Sequence, residues 1–371
     1  MNSDLWRMVT AGLDALTLGN VAMMAVGGLL IYLGIVKQYE PMLLIPIGAG
    51  AIIANIPLTG MTEADGFFGI LYAVGISTEL FPLLIFIGVG AMIDFSPLLS
   101  QPQMVLLGAA GQFGIFATLL IALALGFTLN EAASIGIIGA VDGPTSIYVS
   151  SQLAPQLLAP IAVAAYSYMS LVPIIQPPIM RAMTTQQERL VRMPYSSRPV
   201  SKAVRVIFPI AVTLGTGLLV PMATPLIGML MFGNLLRESL VVDRLADSAS
   251  NEIANVTTIF LGLAIGSTMV AQTFLQTTTL IILVLGIVAF ALDTVAGVGL
   301  GKLFYVLTKG KFNPLIGAAG ISAFPMSARV VNRVGLESDS SNFLLMHAMG
   351  ANTAGQIASA LAGGIVLALL A

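Results

Sequence analysis

Eleven apolar runs, at about 20–36, 41–58, 80–93, 104–128, 132–152, 157–180, 206–233, 256–272, 278–308, 312–328 and 342–371, account for most of this 371-residue chain. Hydrophobic side chains make up 57% of it and charged ones only 9%, where soluble proteins carry roughly 25% charged residues. No water-facing fold has an interior large enough to hide that surface, so the solvent for most of the chain is lipid. In lipid every backbone N–H and C=O must be satisfied internally, and uninterrupted apolar runs meet that demand as helices. Several runs are shorter than the roughly 20 residues a crossing requires. They are expected to be half-helices or re-entrant pieces, for a total of roughly nine to eleven membrane elements. The expected fold is an all-α polytopic membrane protein, its helices drawn close by some of the 38 glycines.

The chain has no cysteine, which excludes disulfides, thiolate zinc sites, iron–sulfur clusters and cysteine nucleophiles. Its single histidine, His347, cannot build a histidine metal site and is expected to serve as a helix-end or packing residue. A net charge of −2 without a basic stripe gives no reason to expect nucleic acid. The stretch "GVGLGKLF" (297–304) lacks the four-residue spacer of a phosphate loop and has Leu303 where Ser or Thr would meet magnesium. No nucleotide site is expected, so uphill transport would draw on another gradient or on a partner enzyme. What remains for chemistry is oxygen, in carboxylates, hydroxyls, amides and backbone carbonyls, which suit hard cations.

Polar interruptions divide the chain. Residues 1–19 mix charge and apolar residues at near-helical spacing and are expected to form an amphipathic interfacial helix; Asp4 and Asp14 argue against a signal peptide. Residues 20–180 form a first membrane half. Residues 181–205 follow, with Arg181, Arg189, Arg192, Arg198, Lys202 and Arg205 against the single acid Glu188. The positive-inside rule places this basic loop in the cytoplasm. Residues 206–371 form the second half, ending in a C-terminal helix, and the mixed-charge stretch 233–256 within it is expected to hold a short amphipathic helix. The halves echo each other: "IFIGVGAMI" (85–93) matches "IFLGLAIGS" (259–267), and "IGAVDGPTSIYVS" (138–150) is followed at the same rank by "IGAAGISAFPMS" (316–327). Duplicated halves with interrupted segments at corresponding positions mark secondary-transporter folds, whose repeats are usually inverted and whose broken helices meet near the membrane middle.

The segment "GIIGAVDGPTSIYVS" (136–150) places an aspartate and a Gly-Pro pair inside such a run. An ionised aspartate at the bilayer centre costs roughly 2.5–3.5 kcal/mol on insertion scales. Proline removes a donor and frees a carbonyl one turn earlier, and broken backbone survives at that depth only where it lines a protein-walled cavity. Asp142, with the hydroxyls of Thr145, Ser146 and Ser150 nearby, makes an oxygen cage for a small monovalent cation. The matching segment, "FNPLIGAAGISAFPMSAR" (312–329), is broken at Pro314, Gly317, Gly320 and Pro325 and offers Asn313, Ser322 and Ser327 as neutral ligands. The structural alternative is that Asp142 pairs with Arg329 or caps a half-helix. Asp94 reads as a helix-end residue and Gln112 as an interhelical hydrogen bond. Asp293 reads equally as ion path or packing, and Tyr166 and Tyr168 beside Gln176 equally as cavity lining or packing.

The stretches "GAVDGPTSIYVSSQL", "AYSYMSLVPIIQPPIM", "RLADSASNEIANVTTIFLGLAIG", "NPLIGAAGISAFPMSARV" and "NFLLMHAMGANTAGQIASA" strongly resemble the β subunit of biotin-dependent, sodium-pumping decarboxylases. These comprise the oxaloacetate, methylmalonyl-CoA and glutaconyl-CoA decarboxylases. The resemblance runs from about residue 20 to the C-terminus, and the compact length is more like the acyl-CoA members. It implies that a carboxyltransferase (alpha) subunit moves CO2 to biotin on a carrier subunit. The β subunit then decarboxylates the delivered carboxybiotin and exports Na+, consuming a proton from the far side. It also implies a small membrane (gamma/delta) subunit, a homo-oligomer and a bacterial cytoplasmic membrane. None of the five lysines lies in a Met-Lys-Met biotinylation motif, so biotin must come from the partner. Moving one charge against about 100 mV takes about 2.3 kcal/mol, which loss of CO2 can supply.

By the same resemblance the essential aspartate matches Asp142 and the functional tyrosine Tyr168, a candidate for proton transfer or second-site binding. The asparagine, glycine, serine and arginine of the second broken segment match Asn313, Gly317, Ser322 and Arg329. Asp142, Asn313 and Ser322 are the expected sodium ligands, with Gly317, Thr145 and Tyr166 as additions. Arg329 is expected to hold the carboxyl group of carboxybiotin or to balance Asp142. From the residues alone two other readings stay open: a Na+-coupled secondary transporter of an organic anion without an enzyme partner, and a membrane anchor for a soluble complex.

Overall fold

The computed structural model describes residues 10–193 and 199–371. Every regular element among them is helical. Five helices are long and apolar enough to cross a membrane: α1 (Leu18–Val36), α4 (Met104–Ala124, interrupted at Gly111 and Gln112), α8 (Lys202–Leu219), α11 (Thr277–Leu307) and α13 (Leu345–Leu370). Two bent pairs raise the number to seven: Phe67–Ile76 with α3 (Leu80–Met92), turning by 61°, and the two parts of α7 (Leu158–Met183), turning by 64°. The other apolar runs are shorter helices, α2 (Pro41–Ala54), α9 (Thr224–Ser239) and α10 (Ala254–Ser267), or the two broken segments. The run expected at 206–233 is two helices, because Pro221 and Pro225 open a new helix after Val220. The mixed-charge stretch holds a short helix, Asp243–Ser248, and a π-helical turn, Ala249–Ile253. Residues 1–9 of the expected 1–19 helix lie outside the described residues; residues 10–14 are helical, and the chain leaves helix at 15–17 before α1 begins. In the basic loop, Gln186–Arg189 forms a helical turn capped by Thr185 and Glu188, and Arg198 lies outside the described residues.

Backbone-to-backbone contacts at glycine set the packing. A Cβ on Gly50 of α2 would lie 2.5 Å from the Leu263 carbonyl oxygen of α10, and one on Gly266 of α10 would lie 2.1 Å from that of Ile47. The same exchange joins α3 to α9, where a Cβ on Gly90 would meet the Leu230 oxygen at 1.8 Å and one on Gly233 the Ile87 oxygen at 1.9 Å. Thus the second helix of each half lies on the third helix of the other. Such contacts let dispersion and close approach replace the hydrophobic effect, which lipid does not supply. The two interrupted segments form the heart of the molecule: residues 132–150 and 312–323 are buried without exception. The periphery is apolar and open, as on α8, where Leu218 is 82% exposed.

Candidate functional site

The first break begins where α5 (Leu129–Gly136) tightens into a 3-10 turn at Ile137–Ala140. Val141 then adopts a left-handed φ of +52°, a conformation disfavoured for a β-branched residue and retained only where the surroundings impose it. The chain re-enters helix at α6 (Gly143–Leu153) with Asp142 as its cap and Pro144 in the first turn, where no donor is missed. The second break is a 3-10 segment, Pro314–Gly320, capped by the Asn313 side chain, which accepts from Leu315 N–H at 3.0 Å. An extended stretch follows, and α12 (Met326–Ser338) leaves it.

The breaks meet where the Ser322 hydroxyl donates to the Ala140 carbonyl. Two helices brace the junction. Gln112, at the interruption of α4, donates to the Gly320 carbonyl at 3.4 Å. From α13, Asn352 donates to the Ile321 carbonyl at 2.6 Å. One turn further along α13, Gln356 and Ser359 reach Asp142: Oδ2 accepts from Gln356 Nε2 at 3.0 Å, Ser359 Oγ at 2.9 Å and Thr145 Oγ1 at 2.8 Å. Oδ1 takes only the Thr145 N–H at 3.4 Å, so it keeps accepting capacity. Asp142 is 4% exposed, and among the described residues no ion pair includes it. A carboxylate at this depth with neutral donors and no cationic partner, when ionised, needs one unit of positive charge from elsewhere, a monovalent cation or a proton. Multivalent transition metals are poorly served, since no group of three His, Cys, Asp or Glu side chains converges among the described residues.

The carboxylate opens on a cavity of about 360 Å³ lined by Glu40, Val141, Asp142, Tyr166, Ser322 and Gln356 among apolar walls that include Phe86, Met169 and Phe324. Three expected residues therefore share it: Asp142, Tyr166 and Ser322. Tyr166 lies against the backbone of Gly143, where a Cβ would come within 1.9 Å of its ring, and its buried hydroxyl has no hydrogen-bond partner. Thr145 touches Asp142 from behind. Ser146 and Ser150 turn back to helix carbonyls, and Ser327 bonds Gln176 Oε1 at 3.1 Å.

Other expected residues lie elsewhere. Tyr168, on another face of α7, donates to the Leu283 carbonyl of α11. Asn313 points its amide at the Arg189 and Val191 carbonyls at 3.1 and 2.9 Å, and Asn342 grips the same two oxygens at 2.9 and 3.2 Å. Both asparagines thus pin the basic loop under the second break. Lys302–Glu188 at 3.3 Å fixes the loop further, as does the Arg192–Asp339 pair, whose guanidinium hydrogen bond holds the Asp339 carboxyl below the usual carboxylate range. Gly317 lies against Gly297 of α11. Arg329 is exposed on α12 and its side chain makes no hydrogen bond or ion pair among the described residues, so it does not pair with Asp142. His347 bonds Gln101 at 2.7 Å and the Met193 carbonyl at 3.2 Å, a packing role at a helix end. Asp94 caps Ser96 at 2.8 Å. Asp293 is fully buried and accepts the Gly114 N–H that opens the second part of α4.

Sequence reasoning passed over Asn352, Gln356, Ser359 and Glu40. The first three carried a signal: amides and a hydroxyl spaced four and three residues apart, on one face of an apolar helix. Glu40 carried none, as an acid in a short interhelical loop is ordinary.

The sequence model of the Na+-transporting oxaloacetate decarboxylase beta subunit family matches residues 19–370. The chain is 49% identical over 417 aligned positions to the oxaloacetate decarboxylase beta chain of Klebsiella pneumoniae, covering 96% of each protein. It is 53% identical over 360 positions to the methylmalonyl-CoA decarboxylase subunit beta of Veillonella parvula, covering 97% of this chain and 95% of that one. It is likewise 53% identical to the glutaconyl-CoA decarboxylase subunit beta of Acidaminococcus fermentans, covering 97% and 96%. Matched over residues 19–370 by this family and over 96–97% of its length by these relatives, the chain belongs to the Na+-transporting decarboxylase beta subunits, the membrane components of biotin-dependent decarboxylases.

Proposed function

We propose that this chain decarboxylates carboxybiotin delivered by a carrier subunit and couples the step to Na+ export across a bacterial cytoplasmic membrane, with a proton consumed from the far side. Asp142 carries the ion, with Ser322, Gln356 and Tyr166 as neutral oxygens on the cavity side and Thr145 and Ser359 holding the carboxylate in place. The observation that carries the reading is the Asp142 carboxylate itself, buried, supported by four neutral donors and facing a cavity without a cationic partner. The biotin is brought by another subunit, and what this chain supplies toward it is the exposed Arg329 in the first turn of α12. A carboxyltransferase subunit and a small membrane subunit complete the complex, and the chain forms a homo-oligomer. Glycine pairs repeated across the two halves support a duplicated, inverted architecture in which the broken segments are counterparts. The acyl-CoA class of substrate is favoured, because those relatives align over 360 positions against 417 for the oxaloacetate type, which requires more gaps in a chain of 371 residues.

The test is Asp142→Asn, which keeps the shape and the acceptor for Thr145 while removing the charge. In the purified complex reconstituted into liposomes, the variant should assemble but show no radioactive sodium uptake and no Na+ stimulation of decarboxylation. Uptake at the wild-type rate would remove Asp142 from the site.

A further inference from the structure

The cavity that ends on Asp142 begins at a second acid, Glu40, the capping residue of α2. Its other outer lining residues are Met42 and Met92, 57% and 47% exposed. This mouth is at the end of the molecule that carries the basic loop: the Met92 carbonyl accepts from Arg237 at 2.6 Å, and Glu238 beside it pairs with Arg205 at 3.1 Å. Among the described residues the Glu40 side chain has neither a hydrogen-bond nor an ion-pair partner, and no lysine, arginine or histidine lines the cavity. Tyr166, 2% exposed and with an unpartnered hydroxyl, lines the same cavity as the two acids. A buried hydroxyl that bonds nothing in the protein calls for a partner from outside it, such as a water or an ion.

We propose that Glu40 is a loading carboxylate, which captures a partly hydrated monovalent cation at the mouth of the cavity and passes it by way of the Tyr166 hydroxyl to Asp142. This rests on the reading of Asp142 as the sodium carrier and deepens it. A narrow, apolar-walled cleft of one sign concentrates counter-ions and raises their on-rate. The same field disfavours anions, so cations are selected before they reach the break.

The test is the initial rate of radioactive sodium uptake by the reconstituted complex against Na+ concentration, with choline chloride holding ionic strength constant. Field focusing in a low-dielectric cleft raises the local counter-ion concentration by about tenfold or more. Glu40→Gln should therefore raise half-saturating Na+ about tenfold, leave the saturating rate within about twofold, and flatten the dependence of uptake on ionic strength. Glu40→Asp, which keeps the charge, should restore most of the loss. Unchanged half-saturation in Glu40→Gln, or a lower saturating rate with half-saturation unmoved, would overturn the inference while leaving Asp142 as carrier. If Glu40→Gln does not assemble, the wild-type complex decides: its half-saturating Na+ must rise as choline chloride raises the ionic strength, and a half-saturation that ignores ionic strength overturns the inference. Wild-type uptake that ignores Na+ concentration would instead sink the underlying sodium reading.

Discussion

Gly317 offers a perturbation that tests the backbone contact between the second break and α11. A Cβ placed there would lie 1.9 Å from the Gly297 carbonyl oxygen and 2.5 Å from its carbon, both backbone atoms that no rotamer change can move. Normal C···O contact begins near about 3.3 Å, so Gly317→Ala must push the 3-10 segment off α11 by about 1.4 Å. Overpacking of this kind typically costs about 1–3 kcal/mol of stability. The larger effect is on the site, because the displaced segment carries the backbone leading to Ser322, and misplacement by about 1 Å can cost a hundredfold in rate. Gly297→Ala should do the same, since its Cβ would meet the Gly317 oxygen at 2.2 Å. We expect both variants to assemble with lowered thermal midpoints and to take up radioactive sodium about a hundredfold more slowly. If Gly297→Ala transports normally while Gly317→Ala fails, the two positions do not act through their shared contact, and the packing explanation is refuted.

Ser322→Ala removes the hydroxyl that joins the breaks at Ala140 and lines the cavity. It should cost only about 1 kcal/mol of stability but weaken Na+ protection against thermal unfolding about tenfold in concentration, equivalent to about 1.4 kcal/mol; an unmoved Na+ titration would assign the hydroxyl to packing alone. Asp293 accepts the Gly114 N–H deep inside the bundle, so Asp293→Ala should lose about 1–3 kcal/mol by leaving that donor unpaired, whereas Asp293→Asn, which keeps an acceptor, should melt close to wild type. Equal melting temperatures for the two variants would show that the bond contributes nothing.

Membrane residence, helical class and the position of both breaks were legible from the chain because each is a local property. Apolar run length forces helix in lipid, and Pro144, Pro314 and the glycines around them interrupt it wherever they fall. Asp142 stood out for the same reason, as a charge where charge is costly. The ligand set was not local. Asn313 and Ser322 lie nine residues apart in one broken segment, yet Ser322 faces the Asp142 cavity while Asn313 turns to the carbonyls of Arg189 and Val191. Tyr166 and Tyr168 are two residues apart on α7 and therefore point to different sides, one to the cavity and one to α11. Gln356 and Ser359 reach Asp142 across more than two hundred residues of sequence, an encounter fixed by the packing of α13 against α6.

Sequence by itself thus determined the solvent, the secondary structure and the acid at the first break, since these follow from single residues and their immediate neighbours in a medium without water. Tertiary structure alone decided which oxygens compensate it and which acid stands at the mouth of its cavity, because side-chain direction is set by how helices from the two halves approach through their glycine contacts.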